Sequence, residues 1–206
     1  MEWKDYFYPG TDVLRNKLKI KDQDLLEREE CKATAIRTYE LYANPEPGHF
    51  DLDHLKRIHA RLFQDVYPFA GKLRDVDMAK GNGDAFTLVE QFSIKEAVVF
   101  SEYLRPCLQK NASIKDFASF LAALNEFHPF REGNGRAQKI LLQYLAACHG
   151  FLFDFSLITP KEWNGASEDS RSRGVDGLAV LLDRAKRPIS NLVAATYRQV
   201  FSFRGS

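Results

Sequence analysis

The chain has 206 residues, 45% of them hydrophobic, which is enough to bury one substantial core. Lys and Arg number 29 against 28 Asp and Glu, a formal charge of +1. That balance argues against a broad, sequence-independent nucleic-acid binder, which needs clustered excess cation. The three cysteines, Cys31, Cys107 and Cys148, are widely spaced with no CxxC, so a disulfide framework or structural zinc site is not expected and a reducing compartment fits. The amino-terminal MEWKDYFYPG carries charges and no apolar segment, unlike a signal peptide. No run approaches the roughly 18 apolar residues of a membrane span. The expectation is a soluble cytoplasmic protein without membrane or direct nucleic-acid contacts.

In chain order, residues 1–20 read as an irregular aromatic arm (Trp3, Tyr6, Phe7, Tyr8, then Pro9-Gly10) that docks on the body. A helix is predicted from about Asp22 to Tyr42, broken by ANPEPG. FDLDHLKRIHARLFQDV is an amphipathic helix with Asp51 as its cap and Phe50, Leu55, Ile58, Leu62, Phe63 and Val66 at helical spacing. His54 and His59 lie on or beside it without an HExxH pattern and read as surface or packing histidines. Residues 72–88, containing the turn pair Asn82-Gly83, read as a short β-hairpin and as the one convincing strand pair. A helix at 90–109 ends near Pro106; a second, SIKDFASFLAALNEF, carries the capping pair Ser113 and Asp116. Ala137, Ile140, Leu141, Tyr144, Leu145 and Cys148 form an apolar stripe closed by Gly150, and further helices are predicted at 160–170, 177–186 and 189–202. No repeat or linker is visible. The expected organisation is a single, mainly α domain over 1–206, with its core at about 20–185.

The densest chemistry lies in HPFREGNGRAQK, residues 128–139. His128 precedes a proline, which pushes it out of helical geometry and ends the helix there. Glycine disfavours helix interiors, so the next helix starts at Gly133-Asn134-Gly135 and HPFREGNG is a tight interhelical loop. A helix start offers unpaired N–H groups and the positive dipole end, and glycines let an anion approach. Arg136 adds a bidentate charge, and Lys139 lies one turn further along on the same side. Together they suggest a cradle for a di- or triphosphate. Glu132 suits Mg²⁺, which takes few protein ligands beside phosphate oxygens. His128 suits a general base. Base, metal ligand and anion nest within one loop point to phosphoryl or nucleotidyl transfer.

HPFREGNGRAQK resembles the Fic signature HxFx(D/E)GNGRxxR. IHARLFQDVYPFAGKLRDVDMAKGN resembles that family's helix and flap hairpin. YFYPGTDVLRNKL resembles the amino-terminal segment of bacterial Fic toxins paired with a small antitoxin. Roughly residues 5–185 are covered. The resemblance implies a Fic-type helical domain that transfers AMP from ATP to a hydroxyl side chain of another protein, releasing pyrophosphate. It implies His128 as base, Glu132 as Mg²⁺ ligand, and Gly133, Asn134, Gly135, Arg136 and Lys139 as nucleotide contacts. It implies a flap, through Lys80, Gly81, Asn82 and Phe86, that takes the target segment as an added strand. It also implies a separate antitoxin supplying an inhibitory glutamate, and targets such as the ATPase subunits of gyrase and topoisomerase IV.

Two positions depart from the pattern: Lys139 stands for the second arginine, and Phe69 for the usual tryptophan before Ala-Gly. The inhibitory pattern [S/T]xxxE[G/N] is absent, since no Ser or Thr is followed by a glutamate four positions later. Alternatives are a kinase-like, UMP or phosphocholine transfer on the same cradle, or a non-catalytic interaction module. Trp163 and Ser167 are candidates for an adenine pocket.

Overall fold

The computed structural model describes residues 3–79 and 85–203. As the sequence predicts, the architecture is mainly α. Helix α1 (Gln23–Ala43) starts where the Asp22 side chain accepts from the Leu25 N–H, and α2 (Leu52–Phe63) where Asp51 does the same for His54. Then come α3 (Phe92–Val98), α4 (Leu104–Cys107), α5 (Ile114–Phe127), α6 (Asn134–Cys148), α7 (Pro160–Asp169), α8 (Asp176–Ala185) and α9 (Asn191–Val200). Ser113 and Asp116 form the expected capping box on α5, and Thr159 with Glu162 form another on α7.

The helix expected over 90–109 is interrupted by a π turn, Val99–Tyr103, between α3 and α4. Pro106 has no N–H and its ring crowds the carbonyl four residues earlier, so the helix widens there instead of running through.

The centre of the molecule is α6. α2, α5 and α9 pack around it, together with the strand that follows it. The sequence shows one apolar stripe on α6, but the structure buries it almost all round: Leu142, Ala146, Ala147, Gln138 and Gln143 are also inside. The buried glutamines are satisfied. Gln138 donates to the Leu124 carbonyl at 3.0 Å, while Gln143 exchanges two bonds with the backbone of Phe153.

The strand pairing differs from the expectation. Around the predicted 72–88 hairpin the described residues make one antiparallel bridge, Ala79 with Ala85, and the Phe86 N–H donates to the Met78 carbonyl at 3.0 Å. The ladder lies elsewhere: β1 (Phe151–Phe153) pairs antiparallel with β2 (Lys186–Pro188), Leu152 opposite Arg187. Neither segment shows period-2 alternation over a useful length. Their pairing comes from the placement of α6 and α8 around them, which local pattern does not report.

The amino-terminal segment folds back on itself through a Phe7–Leu14 bridge and lies against the body. Tyr6 donates to Asp75 at 2.7 Å, and the Lys17 N–H donates to the Val66 carbonyl. All three cysteines are free, and among the described residues no helix is long and apolar enough to cross a membrane.

Candidate active site

The loop between α5 and α6 holds His128, Glu132 and Gly133, and its backbone explains its sequence. His128 caps α5 in the left-handed region (φ 46°), with its N–H still bonded to the Leu124 carbonyl. Gly133 caps α6 with φ 78°. A Cβ there would stand 2.2 Å from Cζ of the fully buried Phe63, so both conformation and space require glycine. Gly135 is the opposite case: a Cβ would meet nothing within 4 Å, because the position faces open space. The first α6 helix bond runs from the Ala137 N–H to the Gly133 carbonyl. The N–H groups of Asn134, Gly135 and Arg136 precede it, at the positive end of a fifteen-residue helix.

The Asn134 side chain does not reach outward. Its Oδ1 accepts from the Phe130 N–H at 2.9 Å and its Nδ2 donates to the Phe130 carbonyl at 2.8 Å, closing the loop on itself. Its backbone N–H remains part of the nest. Glu132 accepts from the Gly133 N–H at 2.8 Å and meets Arg136 at 3.3 Å, both through Oε1. The second oxygen, Oε2, is in neither contact.

The two predicted cations diverge. The Arg136 guanidinium lies over the Phe63 ring at 4.7 Å and pairs with Glu30 of α1 as well as Glu132. Lys139 points to the other flank, with Nζ 4.1 Å from the Trp163 ring centre and 5.2 Å from Phe155. Burial holds its pKa below the ordinary lysine value. Trp163 is therefore engaged with Lys139, and Ser167 is buried nearby on α7.

On the flap side, the ring of Phe86 stacks on His128 at 3.8 Å and 17°. Lys80, Gly81 and Asn82 lie outside the described residues. His128 Nδ1 is 3.2 Å from the Asn125 carbonyl. An Nδ1–H donated there leaves the Nε2 lone pair as the basic atom.

Several further residues support the loop. Arg74, 2% exposed, donates from Nε to the His128 carbonyl at 2.8 Å and from Nη1 to the Val76 carbonyl at 2.7 Å. It also bonds the Thr87 carbonyl, so one guanidinium ties both flap arms to the loop. His59, a surface or packing residue by sequence, is a packing one: it is wholly buried. Its Nδ1 accepts from the Gly71 N–H at 2.8 Å, so Nε2 carries the hydrogen and donates to the Glu132 carbonyl at 2.8 Å. Burial lowers its pKa to about 4, keeping it neutral. Arg131 is buried against Trp3 at 4.0 Å and Phe7 at 5.1 Å, so the amino-terminal arm packs on the loop. A tyrosine–carboxylate pair, Tyr67 and Glu30, borders the cavity of about 360 Å³ beside Arg131, Glu132 and Arg136. Helical periodicity marks His59 as inward-facing; nothing local marks Arg74 or Glu30.

The Fic/DOC family profile matches residues 49–146. The chain is 38% identical over 183 residues to the protein adenylyltransferase VbhT of Bartonella schoenbuchensis, covering 87% of this chain and 38% of that protein's length. It is 31% identical to the probable protein adenylyltransferase Fic of Escherichia coli, covering 87% of this chain and 90% of the relative. Among solved structures it is similar to the BepC protein of Bartonella tribocorum with bound AMPPNP. The TM-score there is 0.80 at 25% identity, over 91% of this chain and 98% of that one.

Proposed function

This chain belongs to the Fic/DOC family, an enzyme family, and from that premise we propose that it transfers AMP from ATP to a hydroxyl side chain of a target protein. The observation that carries the reading is one juxtaposition: His128 stands at one end of the loop and the open nest of Asn134, Gly135 and Arg136 at the other. His128 Nε2 takes the proton of the target hydroxyl. The hydroxyl oxygen attacks the α-phosphorus, the bond from that phosphorus to the bridging oxygen breaks, and pyrophosphate leaves. The Asn134 and Gly135 N–H groups and the Arg136 guanidinium hold phosphate oxygens, and Lys139 contributes a point charge at the polyphosphate tail.

The donor set fits a Mg²⁺ ion. Among the described residues no cluster of three or more His, Cys, Asp or Glu could hold a metal. Glu132, whose Oε2 is in neither of its two contacts among the described residues, suits a hard cation that takes most of its ligands from water and phosphate. Held by Glu132, Mg²⁺ would neutralise phosphate charge as pyrophosphate leaves.

The flap is the docking edge of this reading. The Met78–Phe86 bond and the Phe86–His128 stack tie that edge to the base. A target segment added as a strand brings its hydroxyl to Nε2 through main-chain bonds, with little demand on its sequence. The finer assignments rest on the resemblance of YFYPGTDVLRNKL: a toxin acting in the cytoplasm on type II topoisomerase ATPase subunits, silenced by a small antitoxin.

The test is incubation with Mg²⁺ and ATP labelled on the α-phosphate in bacterial lysate, beside His128→Ala. A labelled band that needs His128 supports the reading, and its mass gives the target. Recovery of the chain alone, fully active and harmless to the cells expressing it, would overturn the antitoxin assignment.

A further inference from the structure

We propose that Glu30 and Tyr67 are positioning residues for Arg136, fixing its guanidinium where it meets the nucleotide's phosphates. This rests on the AMP-transfer reading above. α1 presents an unusual face. Ile36 and Tyr39 are 61% and 75% exposed, whereas Glu30, one of its acids, is 8% exposed. A carboxylate is buried only where its partners repay the lost hydration. The two partners are the Tyr67 hydroxyl, from the turn after α2, and the Arg136 guanidinium at the start of α6. Three separate elements, α1, the turn after α2 and α6, thus meet at one carboxylate.

The geometry separates this contact from the Glu132 contact. Glu132 belongs to the loop itself and also accepts from the Gly133 N–H, so it is part of the structure that receives the nucleotide. Glu30 comes from another helix. It meets Nη2 of a guanidinium whose Cζ lies 4.7 Å from the Phe63 ring centre, so the group is held by a carboxylate at one nitrogen and by a ring beneath it. Tyr67 completes the arrangement: its ring stacks on Phe69 at 4.7 Å. Burial and the nearby Glu30 raise its pKa, so it stays a hydrogen donor to the carboxylate. An arginine already oriented loses less freedom when a phosphate arrives.

A carboxylate beside a phosphate site has an opposite reading, in which Glu30 competes with the phosphate for Arg136. The two differ in sign. ATP affinity is measured by calorimetry for wild type, Glu30→Gln, Arg136→Ala and the double variant. Positioning predicts about tenfold weaker ATP binding in Glu30→Gln and no further loss from that change once Arg136 is gone. Tyr67→Phe, which keeps the acid and removes one of its holders, should weaken ATP binding about threefold, again only when Arg136 is present. Tighter binding in Glu30→Gln would make Glu30 a competitor and overturn the proposal. Equal weakening in both backgrounds would reduce Glu30 to a tether of α1, and no change would leave it without a role at this site; either result overturns the proposal. If Glu30→Gln does not fold, the Tyr67→Phe cycle decides alone. The cycle reads binding only, so failure of the AMP-transfer reading shows separately, as a wild-type protein that binds ATP and labels nothing.

Discussion

Arg136 and Lys139 are one turn apart on α6 and are held in opposite ways. Arg136 lies among carboxylates, with Glu30 and Glu132 at its edge and Phe63 beneath it. Lys139 lies against the rings of Trp163 and Phe155 on the far flank, half-buried. Acids orient a guanidinium. Rings accept an ammonium through cation–π attraction, while burial makes its charge easier to lose. One flank of the helix start is therefore a fork held by acids, and the other is a point charge held by rings.

Gly133→Ala should have the largest effect, because it attacks the cap between the flanks. The new Cβ would collide with Phe63, the floor under Arg136, in a backbone conformation that alanine resists. A stability loss of about 2–4 kcal/mol, read by urea unfolding, is expected together with loss of ATP binding. Arg136→Ala should lower kcat/KM for ATP by about 100-fold and Lys139→Ala by only about tenfold, in steady-state kinetics. Equal losses would erase the distinction between the two flanks.

The acid–ring contrast also has a pH signature. Desolvation lowers the Lys139 pKa, so its charge is lost at a lower pH than that of an exposed lysine. Its attraction for phosphate is present below that pKa and disappears as pH rises through it. Wild-type kcat/KM should fall on the alkaline side, and Lys139→Arg should flatten that limb, since arginine keeps its charge. The smallest change is expected from Trp163→Leu. Without the ring, Lys139 becomes more mobile, and KM for ATP should rise about threefold with kcat unchanged.

Much of this site was legible in the sequence because it is local. The pre-proline His128, the glycines and the Asn134 turn fix loop and helix start by near-neighbour sterics, and both caps fall where the pattern puts them. Mainly helical architecture was equally readable from apolar spacing. What stayed hidden is non-local. Arg74, Glu30 and Tyr67 act across 54, 106 and 37 positions of chain, respectively, through His128, Arg136 and Glu30. A charged residue bound to be buried looks locally like a solvated one. The β1–β2 ladder was missed for the same reason, since three-residue strands carry no period and their partner is chosen by the helices that flank them. The rotation of Lys139 toward Trp163 likewise needs α7 in place before it can be seen.

The most direct test of AMP transfer at this loop is the identity of the leaving product. The purified chain, its labelled target and ATP are mixed in a single turnover, and the nucleotide and phosphate products are separated. Pyrophosphate equal in amount to the AMP bound on the target, and absent with His128→Ala, is the predicted result. ADP as the product, with the γ-phosphate on the target, would contradict it and reverse the nucleotide in the cradle.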